Sequence, residues 1–273
     1  MNNRLFGTAV LILCLSGSIT MALAPIGPPV TNLDKGQWGI GVDHSESEID
    51  FKLKSIRGTT FFTRNKTNEV EIENTMGKLN YGVRDNLQVF ASFGVAETEY
   101  TEMVSVMDGG SLESTMIDFE SDSGFAGQIG AKATFYKDGP LGLGALFQAN
   151  WVTMDGDYSE ATWTDGVFND SGAGDLDADI MILKFAPGVS YEHHCNVTFY
   201  GGPLWQWING EGDADGLTGS SSGKSGKGDF EQDSTFGGWI GLQVNPDSDT
   251  VINIEVQKTG SSKTVGFSLI KRF

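Results

Sequence analysis

The three histidines are the first place to look for acid–base chemistry, and their surroundings argue against it. His44 directly follows Asp43, and neighbouring residues on a strand point to opposite faces. His193 and His194 precede Cys195 at a predicted tight turn, where adjacent side chains cannot all converge on one metal ion. General acid–base catalysis needs a carboxylate and a base that act on the same proton. We therefore predict that the chain is not an enzyme and has no cofactor.

Closely spaced acidic residues are the other candidates for ligand chemistry. The stretch 211–216 is similar to the start of a calcium-binding EF-hand loop, but the twelfth position is Ser222, where a bidentate glutamate is needed. Three aspartates further upstream alternate, so they share one face of a predicted strand. These acids are weak candidates for a cation site, with exposure to water as the alternative: Asp175, Asp177, Asp179, Asp213 and Asp215.

The composition limits the class of protein that carries these residues. The chain has 273 residues, 18 of them basic and 36 acidic, and its formal net charge is −18. An acidic chain repels phosphate backbones, so we expect no nucleic-acid partner. The aromatic fraction of 11% is too high for a disordered acidic segment.

The N-terminus predicts a secretory signal peptide over residues 1–24. Arg4 precedes an apolar run over 5–15, and residues 22–24 (Ala-Leu-Ala) fit a small-x-small cleavage pattern. The alternative, a transmembrane anchor, needs a longer apolar run. We expect residues 25–35 to form a short periplasmic segment after the signal peptide.

The rest of the chain, residues 36–273, alternates between apolar and polar residues, as strands do. In Leu87–Val95 the odd-numbered residues are apolar or small, and the pattern recurs in Phe125–Tyr136 and Leu141–Thr153. Ten strands are predicted: 36–50, 68–82, 87–99, 123–136, 141–155, 177–191, 197–210, 231–244, 250–258 and 263–273. The stretch Met103–Asp118 also alternates, and we interpret it as an outward extension of the third and fourth strands.

The connections between these strands are alternately short and long. Short turns are predicted at 83–86, 137–140, 192–196 and 245–250, and long polar loops at 52–67, 97–122, 156–178 and 211–232. This asymmetry is typical of transmembrane β-barrels. The predicted fold is therefore an all-β, transmembrane, antiparallel, up-and-down barrel of ten strands, with eight or twelve as alternatives. A secreted β-sandwich is the competing architecture.

The last ten residues carry the most specific signal. In Thr264–Phe273 four residues share one face and the chain ends on an aromatic ring: Val265, Phe267, Leu269 and Phe273. This segment resembles the closing strand of bacterial outer-membrane β-barrel proteins of the small porin-like class. The resemblance implies that these residues are the signal read by the barrel-assembly machinery. It also implies an outer-membrane location, periplasmic N- and C-termini, and contact with outer-membrane lipid and lipopolysaccharide.

The same alternation predicts which side chains line the lumen. They are Asp43, Gln88, Gln128, Lys132, Gln148, Lys184, Glu255 and Arg272. Ten strands enclose little space, so these groups either pair and fill the interior or line a narrow polar pore. Lumen-side glycines, Gly142, Gly144 and Gly266 among them, leave room for a pore.

The predicted loops differ strongly in charge. Residues 97–122 and 155–179 each contain eight acids and no base, whereas 52–66 contain five bases and no acid. A ring of carboxylates at a pore mouth concentrates cations. We therefore predict a small porin-like channel whose acidic loops favour cations. The alternative is a non-conducting structural or surface-interaction barrel whose loops bind divalent cations, lipopolysaccharide or host ligands.

Overall fold

The computed structural model describes residues 25–58, 67–108, 111–121, 123–193, 196–215, 226–232 and 234–273. The predicted signal peptide, His194 and Cys195 lie outside these ranges. No helix in the described ranges is long and apolar enough to span a membrane. The described residues form a single antiparallel sheet of these strands: β1 (Trp38–Gly58), β2 (Thr67–Arg84), β3 (Leu87–Asp108), β4 (Ser111–Ser121), β5 (Gly124–Asp138), β6 (Leu141–Thr164), β7 (Val167–His193), β8 (Val197–Asp215), β9 (Gly226–Gln232), β10 (Phe236–Val244), β11 (Thr250–Thr259) and β12 (Ser262–Arg272).

The sheet closes into a ring because its first and last strands pair. Gly39 of β1 lies opposite Arg272 of β12, and the register continues without a shift to Ile49 opposite Ser262. A closed ring leaves no free sheet edge, which distinguishes a barrel from a sandwich. The predicted all-β antiparallel barrel is confirmed, and the sandwich alternative is wrong.

Two pairs of segments share a place in the ring. Both β4 and β5 pair with β3 on one side and with β6 on the other, at successive heights. β9 and β10 both pair with β8, whereas on the other side β9 pairs with β1 and β10 pairs with β11. The alternating stretch Met103–Asp118 lies in the parts of β3 and β4 that pair with each other, as predicted for an outward extension of two strands.

The two ends of the barrel differ. At one end, here called the short-turn end, lie the connections after β2, β5, β7 and β10, together with the start of β1 and the C-terminal residue Phe273. At the opposite, hairpin end, β6 and β7 continue to Thr164 and Val167. They meet in a two-residue turn at Asp165 and Gly166, whose φ angles of 53° and 79° fit a type I′ turn. The prediction of a loop over 156–178 is therefore wrong, because most of that stretch is strand.

The outer wall changes from apolar to acidic along the barrel axis. Towards the short-turn end it exposes large apolar side chains, such as Phe135 (73%), Ile240 (69%) and Phe93 (67%). Further along β3 the outward side chains become glutamates, beginning at Glu97. This belt of apolar surface is the usual exterior of a membrane-spanning barrel.

The inner wall changes in the opposite sense. On β7 the buried Lys184 is followed, towards the hairpin end, by buried Ile182 and Ile180. The hairpin half of the interior holds a buried polar group of Gln206, Gln232, Thr259 and Ser262, joined by hydrogen bonds. Beside it lies a larger apolar cluster: Ile49, Phe51, Ile72, Met76, Ala96, Ala126, Val152, Met154, Ile180, Ile182 and Ile208. One half of the barrel is thus apolar outside with a largely polar lumen, and the other is polar outside and largely apolar inside.

Candidate functional site

The first described residues lie inside the barrel. We call residues 25–34 the N-terminal strap; 25–30 are buried, and Ile26 is fully enclosed in an apolar cluster of the lumen. The carboxylate of Glu255 accepts hydrogen bonds from the backbone N–H groups of Ile26 (2.9 Å) and Gly27 (2.8 Å). The segment predicted over 25–35 thus packs inside the lumen, and its periplasmic location stays a prediction.

Polar side chains of the wall hold the rest of the strap. Thr31 N donates to Thr134 Oγ1 (2.9 Å), and Asn32 N donates to Gln88 Oε1 (3.0 Å). At the short-turn end, Arg272 Nη1 donates to the carbonyl oxygen of Asn32 (3.0 Å). The predicted lumen residues Gln88 and Arg272 therefore bind the chain's own N-terminal segment.

Wall glycines provide the space that the strap occupies. A Cβ atom on Gly266 would lie 2.7 Å from Pro25 Cγ, and one on Gly142 would lie 2.7 Å from Val30 Cγ1. A Cβ on Gly144 would collide with the backbone of the strap. These glycines were predicted to leave room for a pore, and the structure shows that they leave room for the strap.

The structure places the predicted lumen residues on the inner wall, with one exception. Lys78 Nζ donates to Asp43 Oδ2 (2.7 Å), and Lys184 Nζ donates to Gln257 Oε1 (2.8 Å). Arg272 is only partly buried and lies at the mouth of the lumen. The buried members of the predicted set are Asp43, Gln88, Gln128, Lys132, Gln148, Lys184 and Glu255.

Acidic side chains form rows around the outer wall of the hairpin half. Each acid of the longest row lies directly opposite the next one on the neighbouring strand, and all of them are at least partly exposed. Adjacent strands lie about 4.8 Å apart, so six acids in register span roughly 24 Å of the circumference. We call this row the carboxylate row: Glu48, Glu71, Glu99, Glu120, Asp157 and Asp175.

Two shorter rows run beside it. Glu46, Glu73 and Glu97 are opposite one another on β1, β2 and β3, and Asp155, Asp177 and Asp213 on β6, β7 and β8. Acids of the loops predicted over 97–122, 156–178 and 211–232 were expected at a pore mouth, whereas the row members on β1 and β2 fall in predicted strands. Those in the rows stand on strands and point away from the lumen, because the extended strands keep the period-two alternation.

The weak metal candidates all belong to this part of the barrel. Asp175, Asp177 and Asp179 are exposed on the outer face of β7, and the predicted common face is confirmed. Asp215 lies opposite Asp175, so the register continues the line of the carboxylate row onto β8. Asp213 accepts a hydrogen bond from Lys227 Nζ, and this bond raises the pKa of Lys227.

One group of side chains that could bind a metal ion was not predicted from the sequence. The candidate ligand atoms of His44, Glu46 and Glu73 all lie within 4.8 Å of one another on the outer wall. His44 Nδ1 is also 3.0 Å from Thr75 Oγ1. The alternation on β1 puts His44 and Glu46 on one face, but only the register with β2 brings Glu73 to them.

The residues of the predicted assembly signal line the seam of the barrel. Val265, Phe267 and Leu269 alternate with buried residues along β12, and Phe273 is 71% exposed at its end. Lys271, on the same face, lies 3.6 Å from Asp247 and Asp249 carboxylate oxygens at the short-turn end. The recognition of this strand by assembly machinery stays a prediction.

Comparison with solved structures finds barrels of low sequence identity. The outer membrane protease OmpT from Escherichia coli is 8% identical, with 92% of this chain and 97% of that chain covered and a TM-score of 0.45. The Pseudomonas putida toluene transporter TodX is 9% identical, with 90% and 91% covered and a TM-score of 0.40. The attachment invasion locus protein Ail of Yersinia pestis is 14% identical, with 88% and 99% covered and a TM-score of 0.31. No family model and no curated protein matches the sequence.

Proposed function

We propose that this chain is a bacterial outer-membrane β-barrel protein and that residues 1–24 are a signal peptide removed on export. The barrel has ten strands if β4 with β5, and β9 with β10, are each counted as one interrupted strand. In support, β4 and β5 share both neighbours, and β9 and β10 share β8. An even count puts both termini on one side, and the short-turn end then faces the periplasm. The apolar outer belt supports the membrane placement.

The function that the geometry supports best is that of a surface-interaction barrel with a closed lumen. The observation that carries this proposal is the reversal of polarity along the barrel axis. A wall that is acidic outside and largely apolar inside suits a part of the barrel that extends into water beyond the lipid. Its interior is then packed with apolar side chains, as in a soluble domain. The strap packs in the lumen below it, so both halves of the interior contain packed apolar side chains.

The acidic outer wall is suited to bind divalent cations. Like charges directly opposite each other on neighbouring strands destabilise a sheet, so the carboxylate row requires counter-charge. Lys263 supplies some at one end, with Nζ 3.2 Å from Glu48 Oε1. Calcium and magnesium prefer such carboxylate oxygens, and they also bind the phosphates of lipopolysaccharide. We propose that the row binds the protein to the lipopolysaccharide layer through shared divalent cations.

This proposal predicts a specific response to calcium. The thermal unfolding temperature of the refolded barrel should rise more with CaCl₂ than with NaCl of equal ionic strength. Glu99→Gln combined with Glu120→Gln should reduce that difference, because both carboxylates are central to the row. Glu192→Gln, which removes an exposed acid at the short-turn end, is the matched control. Equal responses to the two salts would refute the cation role.

A porin-like channel is the second candidate, and the polar lumen of the short-turn half favours it. The buried charges there are three lysines and two carboxylates: Lys78, Lys132, Lys184, Asp43 and Glu255. Lysines outnumber carboxylates on the inner wall of this half, so the wall of a channel here would not itself favour cations over anions. Planar-bilayer conductance separates the candidates, because a closed barrel passes no steady current whereas a porin does. The reversal potential in a KCl gradient then tests cation preference.

A further inference from the structure

We propose that the N-terminal strap is a removable plug. It closes the short-turn end of a polar chamber in the lumen, and its departure opens that chamber to water and small hydrophilic solutes. This inference is independent of cation binding by the outer wall.

The strap is packed in the barrel without being part of its sheet. Three of its ten residues are Pro25, Pro28 and Pro29, which have no N–H group to add to a strand ladder. Between residues 25 and 33 the described backbone makes no hydrogen bond to the backbone of the wall. The strap can therefore leave without breaking any ladder bond of the barrel.

Two contacts anchor its deep end. The Ile26 side chain is fully buried in a cluster that includes Leu146, Leu204 and Trp239. The Glu255 carboxylate accepts from the N–H groups of Ile26 and Gly27, and each bond to an ionised acceptor is stronger than a neutral one. Ile26 takes part in both anchors, which makes it the position at which to release the plug.

The chamber is identified by buried polar atoms on the wall near the strap. Ser92 Oγ, both amide atoms of Gln128, and Gln148 Oε1 have no hydrogen-bond partner in the described structure. Ser92 and Gln128 lie directly opposite each other on β3 and β5. Buried polar groups are nearly always hydrogen-bonded, so these atoms call for water or a hydroxyl-bearing solute.

The chamber also adjoins the deep end of the strap. Lys132 lies four residues after Gln128 on the same face of β5. Its Nζ is 2.7 Å from where a Cβ on Gly27 would lie. Ser45 faces the lumen opposite Gly266, and Gly266 contacts Pro25. Ser45 is 1% exposed, so a thiol introduced there reports whether the deep end is covered.

The first test measures that cover. Ser45→Cys is introduced with Cys195→Ser, and labelling by a charged, membrane-impermeant thiol reagent is followed in the refolded barrel. Ile26→Asp places a second carboxylate beside Glu255 within an apolar cluster, whereas Ile26→Val keeps the shape of the anchor. We expect labelling to be about tenfold faster or more with Ile26→Asp, and unchanged with Ile26→Val. Equal labelling in all three barrels would overturn the proposal.

The second test covers the case in which Ile26→Asp does not fold. A Cβ on Gly142 would lie 3.8 Å from Val30 Cβ, the separation found in disulfides. Val30→Cys with Gly142→Cys, in the Cys195→Ser background, should therefore form a disulfide that holds the strap in place. Amide hydrogen exchange at Ile26 and Gly27 should be about tenfold slower in the oxidised than in the reduced protein. Failure of the disulfide to form, or equal exchange in the two states, would overturn the proposal.

Discussion

Gly266 of the last strand packs against the ring of Pro25, the first described residue of the strap. A Cβ at this position would lie 2.7 Å from Pro25 Cγ, closer than real Cβ atoms approach a neighbour. The barrel wall and the strap are therefore fitted to each other, although 241 positions separate the two residues along the chain.

Gly266→Ala should loosen the strap. The added methyl group overlaps the Pro25 ring, and overpacking of this kind costs about 1–3 kcal/mol. We expect faster amide exchange at Ile26 and Gly27 while the barrel still migrates as a folded species on an unboiled gel. Gly77→Ala is the matched control, because its new Cβ would have only ordinary contact with Phe93 O at 3.8 Å. Equal exchange in the two variants would contradict the fit.

Lys78→Met should strongly destabilise the barrel. It leaves the fully buried Asp43 carboxylate without its cationic partner, which lies 2.7 Å away. Loss of one member of a buried pair costs about 3–5 kcal/mol. Urea unfolding of the barrel refolded into detergent micelles measures this. The double variant Asp43→Asn with Lys78→Met removes both charges and should recover most of the loss; a double variant as unstable as Lys78→Met would show that the charge pair is not the cause.

Gly166→Val should destabilise the tip of the β6–β7 hairpin. The φ angle of 79° at Gly166 is strained for a side chain branched at Cβ. The neighbouring Asp165 also ties this tip to the β3–β4 hairpin, since its Oδ1 accepts from Leu112 N (2.8 Å) and its N donates to Leu112 O (2.7 Å). Amide exchange at Leu112 should accelerate while exchange in β12 stays unchanged. Unchanged exchange at Leu112 would mean that the two hairpins are not coupled.

Asp247→Asn should lower the unfolding temperature at neutral pH. The Asp247 carboxylate accepts hydrogen bonds from Asp249 N (2.8 Å), Thr250 N (2.7 Å) and Thr250 Oγ1 (3.0 Å), and lies near Lys271. These contacts, foremost the bond from Asp249 N, lower the pKa of Asp247 from its ordinary value of 3.8.

The pH dependence follows from that direction. A carboxylate whose pKa is lower in the folded state contributes stability above its ordinary pKa and loses it as the pH falls through the folded value. The difference in unfolding temperature between wild type and Asp247→Asn should therefore be largest near pH 7 and shrink below pH 3.8. Glu192→Gln serves as the control at the same end of the barrel. A difference that stays constant with pH would exclude the charge of Asp247 as the cause.

The sequence by itself determined the strands and the face to which their residues belong. Alternation assigned Asp43 inward and His44 outward, and it put the inner-wall residues Gln128 and Lys184 in the lumen. It succeeded because the side-chain period of a strand is two wherever the strand runs. It also located the short turns, whose sequences interrupt the alternation.

The extent of the strands was harder to predict. Residues 156–178 look like a loop because acids alternate there with Gly and Ala, yet the same alternation continues from β6 into β7. The Asp165-Gly166 pair is a hairpin signal that could have located the turn. Acids that face outward suggest a loop only if each strand is assumed to end where the apolar outer belt ends.

Only the tertiary structure decided which segment packs in the lumen and where the acidic side chains lie on the outer wall. The strap has no periodic pattern of its own, so its place depends on contacts with residues more than 200 positions away, Glu255 and Gly266. The carboxylate row likewise exists only because the register of each strand pair puts one acid opposite the next. Sequence sets the face of each residue within its own strand, whereas neighbours across strands and across the lumen are set by pairing and packing between distant segments.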